Sequence, residues 1–562
     1  MAQPQQNISI QAPSFQGINT EDSPLTQDAT FSSRANNAVI DEFGRIGARK
    51  GFNNFLNFED FSQITPPAHD DYEIKIGAMH HKAGSFPVCV VEIAWKTGGS
   101  VTSTTYHVAV IEMNTQTLII CNHLGNAQSN VGVDSMRGHF ATFGDRVYLF
   151  SGTYSALEVN PGATEVAVLK DLAGFLPPQD DSGNLTAGDL RGDVVCSAFG
   201  RLWVSGVEGD SQKIWYSDLE DARVWYDGKA IPTDSLNTAG GIEVSQYWPA
   251  GKDRIQNIVA HNNMLIVFGR NSILFYGNPQ GDPAAVGGIY LQDTIEGMGL
   301  VSRDSICSTG NDLLFIDDTG VRSLGRSVQE QSVPVGDLTI NVRQDFTYFV
   351  QQTDDLGSIS LSYWPQEGIV VANFPTNKKA FVMDLKRFSQ TGGARITTWT
   401  EHVWDRAIFV ENGIKDRILL GSYDGSGIKE YRGYVDNEDD SYRFSYQSNP
   451  LTFGDSVRQK FPKRMDLTIV TRDASSTAYA RWGSDTLEYQ KELNVESQVP
   501  GYWGVAQWGN STYGQSADTI KRYRINTKGS GAFVTLGVDA DIKGGVFSLQ
   551  EINIQTLMGR IY

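Results

Sequence analysis

The feature that most constrains this chain is a short unit that keeps returning. "GHFATFGDRVYLFSGTYSALEV" begins at Gly138, "VVCSAFGRLWVSGVEGDSQKIWYSDL" at Val194, "IQNIVAHNNMLIVFGRNSILFYGN" at Ile255 and "SICSTGNDLLFIDDTGVRSLGR" at Ser305. "YWPQEGIVVANFPTNKKAFVMDL" follows from Tyr363 and "AIFVENGIKDRILLGSYDGSGIKEYR" from Ala407. Each reads as strand, polar two-residue turn, apolar strand, turn, third strand. The turn pairs Gly144-Asp145, Phe199-Gly200, Asn262-Asn263 and Asn311-Asp312 contain residues that tolerate the left-handed backbone of tight hairpins.

No long stretch places apolar residues at i, i+3, i+4 and i+7, so helices are not expected. The units start 44 to 61 residues apart, a spacing that fits the blades of a β-propeller. One small sheet buries little alone, whereas blades packed face to face around a ring bury both faces and leave only short edges. Leu202-Trp203-Val204 and Leu265-Ile266-Val267 suit middle strands buried on both sides. The strand-rich region 72–121 supplies a further blade. A β-sandwich, or a stack of them, is the alternative arrangement.

Beyond Tyr434 the texture changes. "YVDNEDDSYRF" reads as an acidic surface linker in preference to a metal loop. The alternating runs after it read as a β-sandwich or barrel, with an aromatic-Gly loop, "GYWGVAQWGNSTYG", between them. At the other end, Gly17–Phe52 has too few large apolar residues to build a core. The expected fold is all-β: an extended N-terminal arm and first hairpin (1–52), a propeller of about six to seven blades (53–433) and a C-terminal β domain (434–562). A chain of 562 residues is long enough for these parts.

The formal net charge is −19, which argues against a protein that grips nucleic acid, since phosphate binding needs clustered Lys and Arg. The charge is uneven: residues 441–562 carry 14 basic against 11 acidic groups, a net of +3, and residues 1–440 carry 32 against 54, a net of −22. Two parts with different neighbours are implied. No run of 18 apolar residues suggests a membrane span, and the first residues do not read as a secretory signal. The four scattered cysteines, Cys89, Cys121, Cys196 and Cys307, read as reduced thilos of a protein made in a reducing cytoplasm.

No catalytic constellation is expected: G-x-S-x-G, P-loop, H-E-x-x-H and G-x-G-x-x-G patterns are missing. His80 and His81, adjacent on a strand, would face opposite ways and could not share a metal. His261 reads as a turn residue. "SYDGSGIKEY" (Ser422–Tyr431) starts like a sialidase turn but has no Trp, and "DDSGNLTAGD" (Asp180–Asp189) lacks the closing Glu of a calcium loop. Neither a cofactor nor a metal is expected.

"GINTEDSPLTQDATFSSRANNAVIDEFGRIGARKGF" resembles the opening of the nozzle proteins of short-tailed bacteriophages, also called tail tubular protein B, at Gly17, Asn36, Asn37, Gly44, Arg45, Arg49 and Gly51. The resemblance continues through "FGRLWVSGVEGDSQKIWYSDLEDARVWY" and "NIVAHNNMLIVFGRNSILFYGN". "IEGMGLVSRDSICSTGNDLLFIDDTGVRSLG" is similar to hub and stabilisation proteins that close the portal channel in a second phage group. The likeness spans roughly 17–325 as ordered texture without an invariant signature.

It implies a non-enzymatic virion protein: a homohexameric ring in the tail, below the adaptor ring (tail tubular protein A) under the portal, carrying fibres, spikes or a tip protein. Double-stranded DNA would leave through it without specific binding, and an acidic wall suits passage without adhesion. On this reading the leader is ordered only against a neighbouring subunit or ring. Gly17, Asn36, Asn37, Gly44, Arg45, Arg49, Lys50 and Gly51 are the candidate assembly-interface residues, with a solvated strand face as the plainer use of Arg45, Arg49 and Lys50. The alternative functions are a carbohydrate-binding or glycoside-cleaving propeller and a tail fibre or spike adhesin.

Overall fold

The computed structural model describes residues 5–64, 66–123, 136–152, 155–168, 191–207, 211–225, 239–249, 251, 253–278, 288–325, 337–401, 404–411, 416–472, 475–485, 487–496, 500–501, 512–513 and 518–559. Asp180–Asp189 and most of the aromatic-Gly loop lie outside them.

The chain forms a β-propeller of seven small sheets joined to a two-sheet sandwich. Blades 1 to 7 have innermost strands Asp71–His80, His139–Phe143, Val194–Ala198, Asn257–His261, Ile306–Ser308, Ser360–Trp364 and Trp404–Val410. Each begins within a few residues of a repeat read from the sequence. These strands pack in the order 1–2–3–4 and 5–6–7–1. Blades 4 and 5 meet through Ile266 and Phe268 against Leu313 and Phe315, with the Phe268 and Phe315 rings 5.4 Å apart. The ring is closed.

The cores lie between blades, not within them. Separate clusters join blade 1 to 2, 2 to 3, 3 to 4, 4 to 5, 6 to 7 and 7 to 1. That is why middle strands such as Arg201–Ser205 and Ser272–Gly277 are buried at every position. Tight hairpins connect the strands: Asn262 and Asn263 have φ of 48° and 59°, and Phe199 and Gly200 of 54° and 72°, the left-handed pair of a type I′ turn. Blade 7 is completed from the start of the chain, since Phe52–Asn54 pairs with Ile428–Tyr431 as its outer strand.

The leader is extended, as the sequence suggests, but it does not wait for a neighbouring molecule. Gln5–Gln11 pairs along the C-terminal strand Val546–Met558, from Gln5 opposite Leu557 to Gln11 opposite Glu551. Ala38–Ile40 and Ile46–Ala48 form a hairpin on the same sheet, which also holds Lys460–Arg472 and Thr519–Asn526. Phe31–Asn36 joins the facing sheet beside Tyr442–Ser448. The physical reason is the one that made the leader look unfoldable alone: its few apolar residues, Ile10, Phe15, Ile18 and Ile46 among them, are buried in a core shared by the C-terminal strands and blades 5 and 6.

Two glycines show how tight the fit is. Gly17 (φ +82°) lies parallel to Ile396, whose carbonyl oxygen would sit 2.5 Å from an added Cβ, and a Cβ on Gly51 would fall 1.6 Å from the Val435 oxygen.

Through this leader, blade 6 and the sandwich become one sheet. Ala394–Thr400, the outer strand of blade 6, pairs in parallel with Gly17–Ile18 and Phe31–Asn36, giving a continuous ten-stranded sheet that ends at Leu487–Val495. The acidic stretch expected to be a surface linker is correspondingly split. Asp436 is buried and bonded to Arg49, while Asp439 stays exposed.

Candidate functional site

The innermost strands of blades 2 to 7 line a central cavity of about 450 Å³. Small polar side chains line it, with Thr142, Ser197, Ser308 and Ser362 contributed by blades 2, 3, 5 and 6. Charged residues lie at or just ahead of the start of several innermost strands, and the ring brings Asp193, Arg303, Asp304, Asp405 and Arg406 together beside the cavity.

Arg303 spans from the turn before blade 5 to blades 2 and 3. It donates to Asp193 Oδ1 at 2.8 Å, to the Asp193 carbonyl at 3.0 Å and to the Gly138 carbonyl at 3.2 Å. Arg406, at the start of blade 7, donates to Asp304 Oδ2 at 2.5 Å, to the Gly357 carbonyl at 3.1 Å and to the Asp405 carbonyl at 2.9 Å. Asn257 of blade 4 donates to the Arg303 carbonyl at 2.7 Å, and Ser360 of blade 6 to the Asp405 carbonyl at 2.9 Å. Arg137 and Asp355 form a two-pronged pair beside them. The hub therefore ties blades 2 to 7 to one another.

The electrostatics follow from burial. Burial opposes charge on Asp304, but the guanidiniums of Arg406 and Arg303 outweigh it and hold the carboxyl well below the usual range. Asp405 goes the other way: burial raises it against the pull of Arg406 and Arg137, and neither of its carboxylate oxygens receives a hydrogen bond. His139 accepts the Val195 N–H at 3.0 Å through Nδ1, and burial, with Arg303 close by, lowers its pKa to about 3. The ring is neutral. Burial pushes the Cys196 thiol, on the cavity wall, up to about 12, and the Cys307 thiol further still. Neither is an activated nucleophile. Among the described residues no three His, Cys, Asp or Glu side chains are placed to hold a metal ion. The arrangement is a clamp whose charges are spent on one another.

Burial also sets a pH dependence. His107 in blade 1 is buried with no partner for Nε2, and its pKa falls to about 4. The unfolded chain takes up this proton below about 6.5 and the folded chain only near 4, so stability falls as pH drops through that window. His107 alone contributes about 3 kcal/mol to the loss. A His107→Gln variant is expected to show a shallower decline of melting temperature between pH 6.5 and 4. A parallel decline in both proteins would refute the assignment.

The eight leader residues are placed elsewhere, and their contacts are within the chain. Arg49, wholly buried, donates to Asp436 at 3.0 and 2.8 Å and to Asn37 Oδ1 at 3.2 Å, between the rings of Phe52 and Tyr442 at 4.3 and 4.1 Å. Arg45 bonds Asp41 at 2.6 Å and Asp518 at 3.2 Å. Lys50, partly exposed, pairs with Glu367 of blade 6. Asn36 lies opposite Thr398, and Asn37 (φ 50°) donates to the Arg443 carbonyl at 2.9 Å. Gly44 (φ +75°) makes a turn against Pro13, and Gly17 and Gly51 make the close approaches above. As a set they stitch the leader to the sandwich and the propeller. The partners of Arg45, Arg49 and Lys50 described here come from the chain that follows them.

No protein-family model matches the sequence, and no curated protein matches it. Among solved structures, the chain is similar to the computationally designed Ika8 protein at 11% identity and TM-score 0.32, over 66% of this chain and 99% of that one. It is similar to YCF48, solved bound to D1 peptide, at 9% identity and TM-score 0.33, over 65% and 97%. A third is Hsv2p of Kluyveromyces lactis, at 10% identity and TM-score 0.26, over 58% and 97%.

Proposed function

We propose that this chain is a structural subunit of the tail nozzle or hub of a short-tailed bacteriophage, assembled as a ring through which the genome leaves. The observation that carries the reading is one of order. The stretches that resemble nozzle and hub proteins follow one another along the chain and fall on the leader, then blade 3, blade 4 and blade 5.

Two physical features support it. The cavity inside the propeller is small and crossed by Arg303 and Arg406, so a DNA path belongs on the axis of a ring of copies, outside any single propeller. The net charge of −19 suits a wall that phosphate passes without sticking. The ring would sit in the virion tail between the adaptor ring and the fibres, spikes or tip. The chain would be made in the cytoplasm of the bacterial host.

The purified protein is expected to form closed rings of about six copies in mass photometry and negative-stain electron microscopy, alone or on addition of the adaptor ring. A monomer under both conditions would overturn the reading. Antibody label at the tail below the portal in virions is the matching result in situ.

A further inference from the structure

The leader strand Gln5–Gln11 is an edge without the usual guards. It pairs with Val546–Met558 on one side, and among the described residues no strand pairs with its other side. Proteins blunt open edges with charge, with proline or by keeping them short. The other long end strands of the sandwich obey this. Thr519–Asn526 carries Lys521, Arg522 and Arg524, and Leu487–Val495 carries Glu488, Lys491 and Glu492. Gln5–Gln11 reads QQNISIQ, seven residues with neither a charge nor a proline.

The open side offers backbone groups and an apolar floor. The Ala12 N–H donates to the Gln550 carbonyl at 2.9 Å, so the alternation of an antiparallel ladder turns the backbone groups of Gln6, Ile8 and Ile10 towards Val546–Met558. Those of Asn7 and Ser9 point the other way, each leaving an N–H and a carbonyl at the edge. Against Gln6, Asn7 and Ile8 lies a groove of about 420 Å³, with Ala29, Leu451 and Phe453 in its walls. Ile8, Ala29 and Phe453 pack on the main core yet are only partly buried, so the core is uncovered at this point. No residue lining the groove is charged, in a chain of which 20% is. Phe453 holds a φ of 56° ahead of Gly454 at 75°, a left-handed conformation that an aromatic residue seldom takes.

We infer that this edge takes up an added β-strand: an extended, uncharged segment of another protein, bonded through its backbone to Asn7 and Ser9. In such an addition main-chain bonds hold the segment, and pockets read its alternate side chains. Side chains on the face shared with Ile8 and Ile10 enter the groove, so that set is apolar and the other set polar. A charged side chain in the groove would lose its water without gaining a partner. A second copy of the chain fits less well, because the Ile8 and Ile10 of its own leader strand are already packed on its own core. The inference goes beyond the ring reading and stands whether or not that reading does.

Synthetic peptides test it on the full-length chain. A fluorescein-labelled, amidated QTVSITQ is expected to bind saturably in fluorescence anisotropy. QTKSKTQ, with lysines in place of the groove-facing residues, is expected not to bind. Asn7→Pro removes an outward N–H and leaves the ladder to Val546–Met558 intact, so it should weaken binding about tenfold or more with an unchanged circular dichroism melt. Asn7→Thr, which keeps that N–H, should bind as the wild type does. Should Asn7→Pro melt lower, two versions of QTVSITQ N-methylated on alternate amides carry the test: one set faces the edge, so one version should lose binding and the other keep it. No binding of QTVSITQ at millimolar concentration, equal binding of QTKSKTQ, full binding by Asn7→Pro or equal binding of the two methylated versions would overturn the inference. So would a dimer of the chain that Asn7→Pro dissolves, since that assigns the edge to a second copy.

Discussion

A chain beginning at Phe52 is expected not to fold. The deleted leader provides a strand to one sandwich sheet, a hairpin to the same sheet, and the strands that join blade 6 to the other. It also buries Ile10, Phe15, Ile18, Phe31, Ile40 and Ile46. Each large side chain contributes about 1.5–3 kcal/mol on burial, so the six together are worth on the order of 10–20 kcal/mol, comparable to or above the whole stability of an ordinary domain, about 5–15 kcal/mol. Asp436 would in addition lose its buried partner. The truncated protein should be insoluble, or soluble without a near-ultraviolet circular dichroism signal. A cooperative melt within a few degrees of the full chain would refute the account. The point variant Arg49→Met isolates the ionic part and should cost about 3–5 kcal/mol, because Asp436 is left buried and uncompensated.

The second large effect is expected at the hub. Arg406→Met removes the nearer of the two guanidiniums that hold Asp304 and the closest one to Asp405, leaving Asp304 with Arg303 alone and Asp405 without an adjacent cation. Breaking a buried pair in this way costs about 3–5 kcal/mol, measurable as a lower midpoint in urea unfolding. Arg406→Lys should recover less than half of it. A single ammonium cannot reach the Asp304 carboxylate, the Gly357 carbonyl and the Asp405 carbonyl from the directions a planar guanidinium spans. A loss below about 1 kcal/mol would show that the clamp is ornamental to stability.

The propeller was largely legible in the sequence because its signal is local. A strand, a turn with Asn or Gly, and a strand buried on both faces are written in consecutive residues, and seven such units were there to be aligned. The leader's position was not legible, since pairing Gln5–Gln11 with Val546–Met558 is a contact between the two ends of the chain that no local pattern encodes. The same holds for Arg49, whose partner Asp436 lies far along the chain in a stretch that looks like solvated linker.

The hub did leave a trace. Charged residues precede four of the repeats: Asp193 before Val194, Asp253-Arg254 before Ile255, Arg303-Asp304 before Ser305, and Asp405-Arg406 before Ala407. Charge of both signs just ahead of three of these units marks residues that come together once the units close into a ring. Reading it requires the ring first.

The ten-stranded sheet has a mechanical consequence. Two domains tethered by a linker swing independently by default, but here the backbone hydrogen bonds of blade 6 run without a break into the sandwich. A pull on the far edge strand, Leu487–Val495, is resisted as shear across successive ladders and arrives at the propeller as torque. The join itself is narrow, with Ile396 opposite Gly17 and Thr398 opposite Asn36, so these two pairs are where such a load would concentrate.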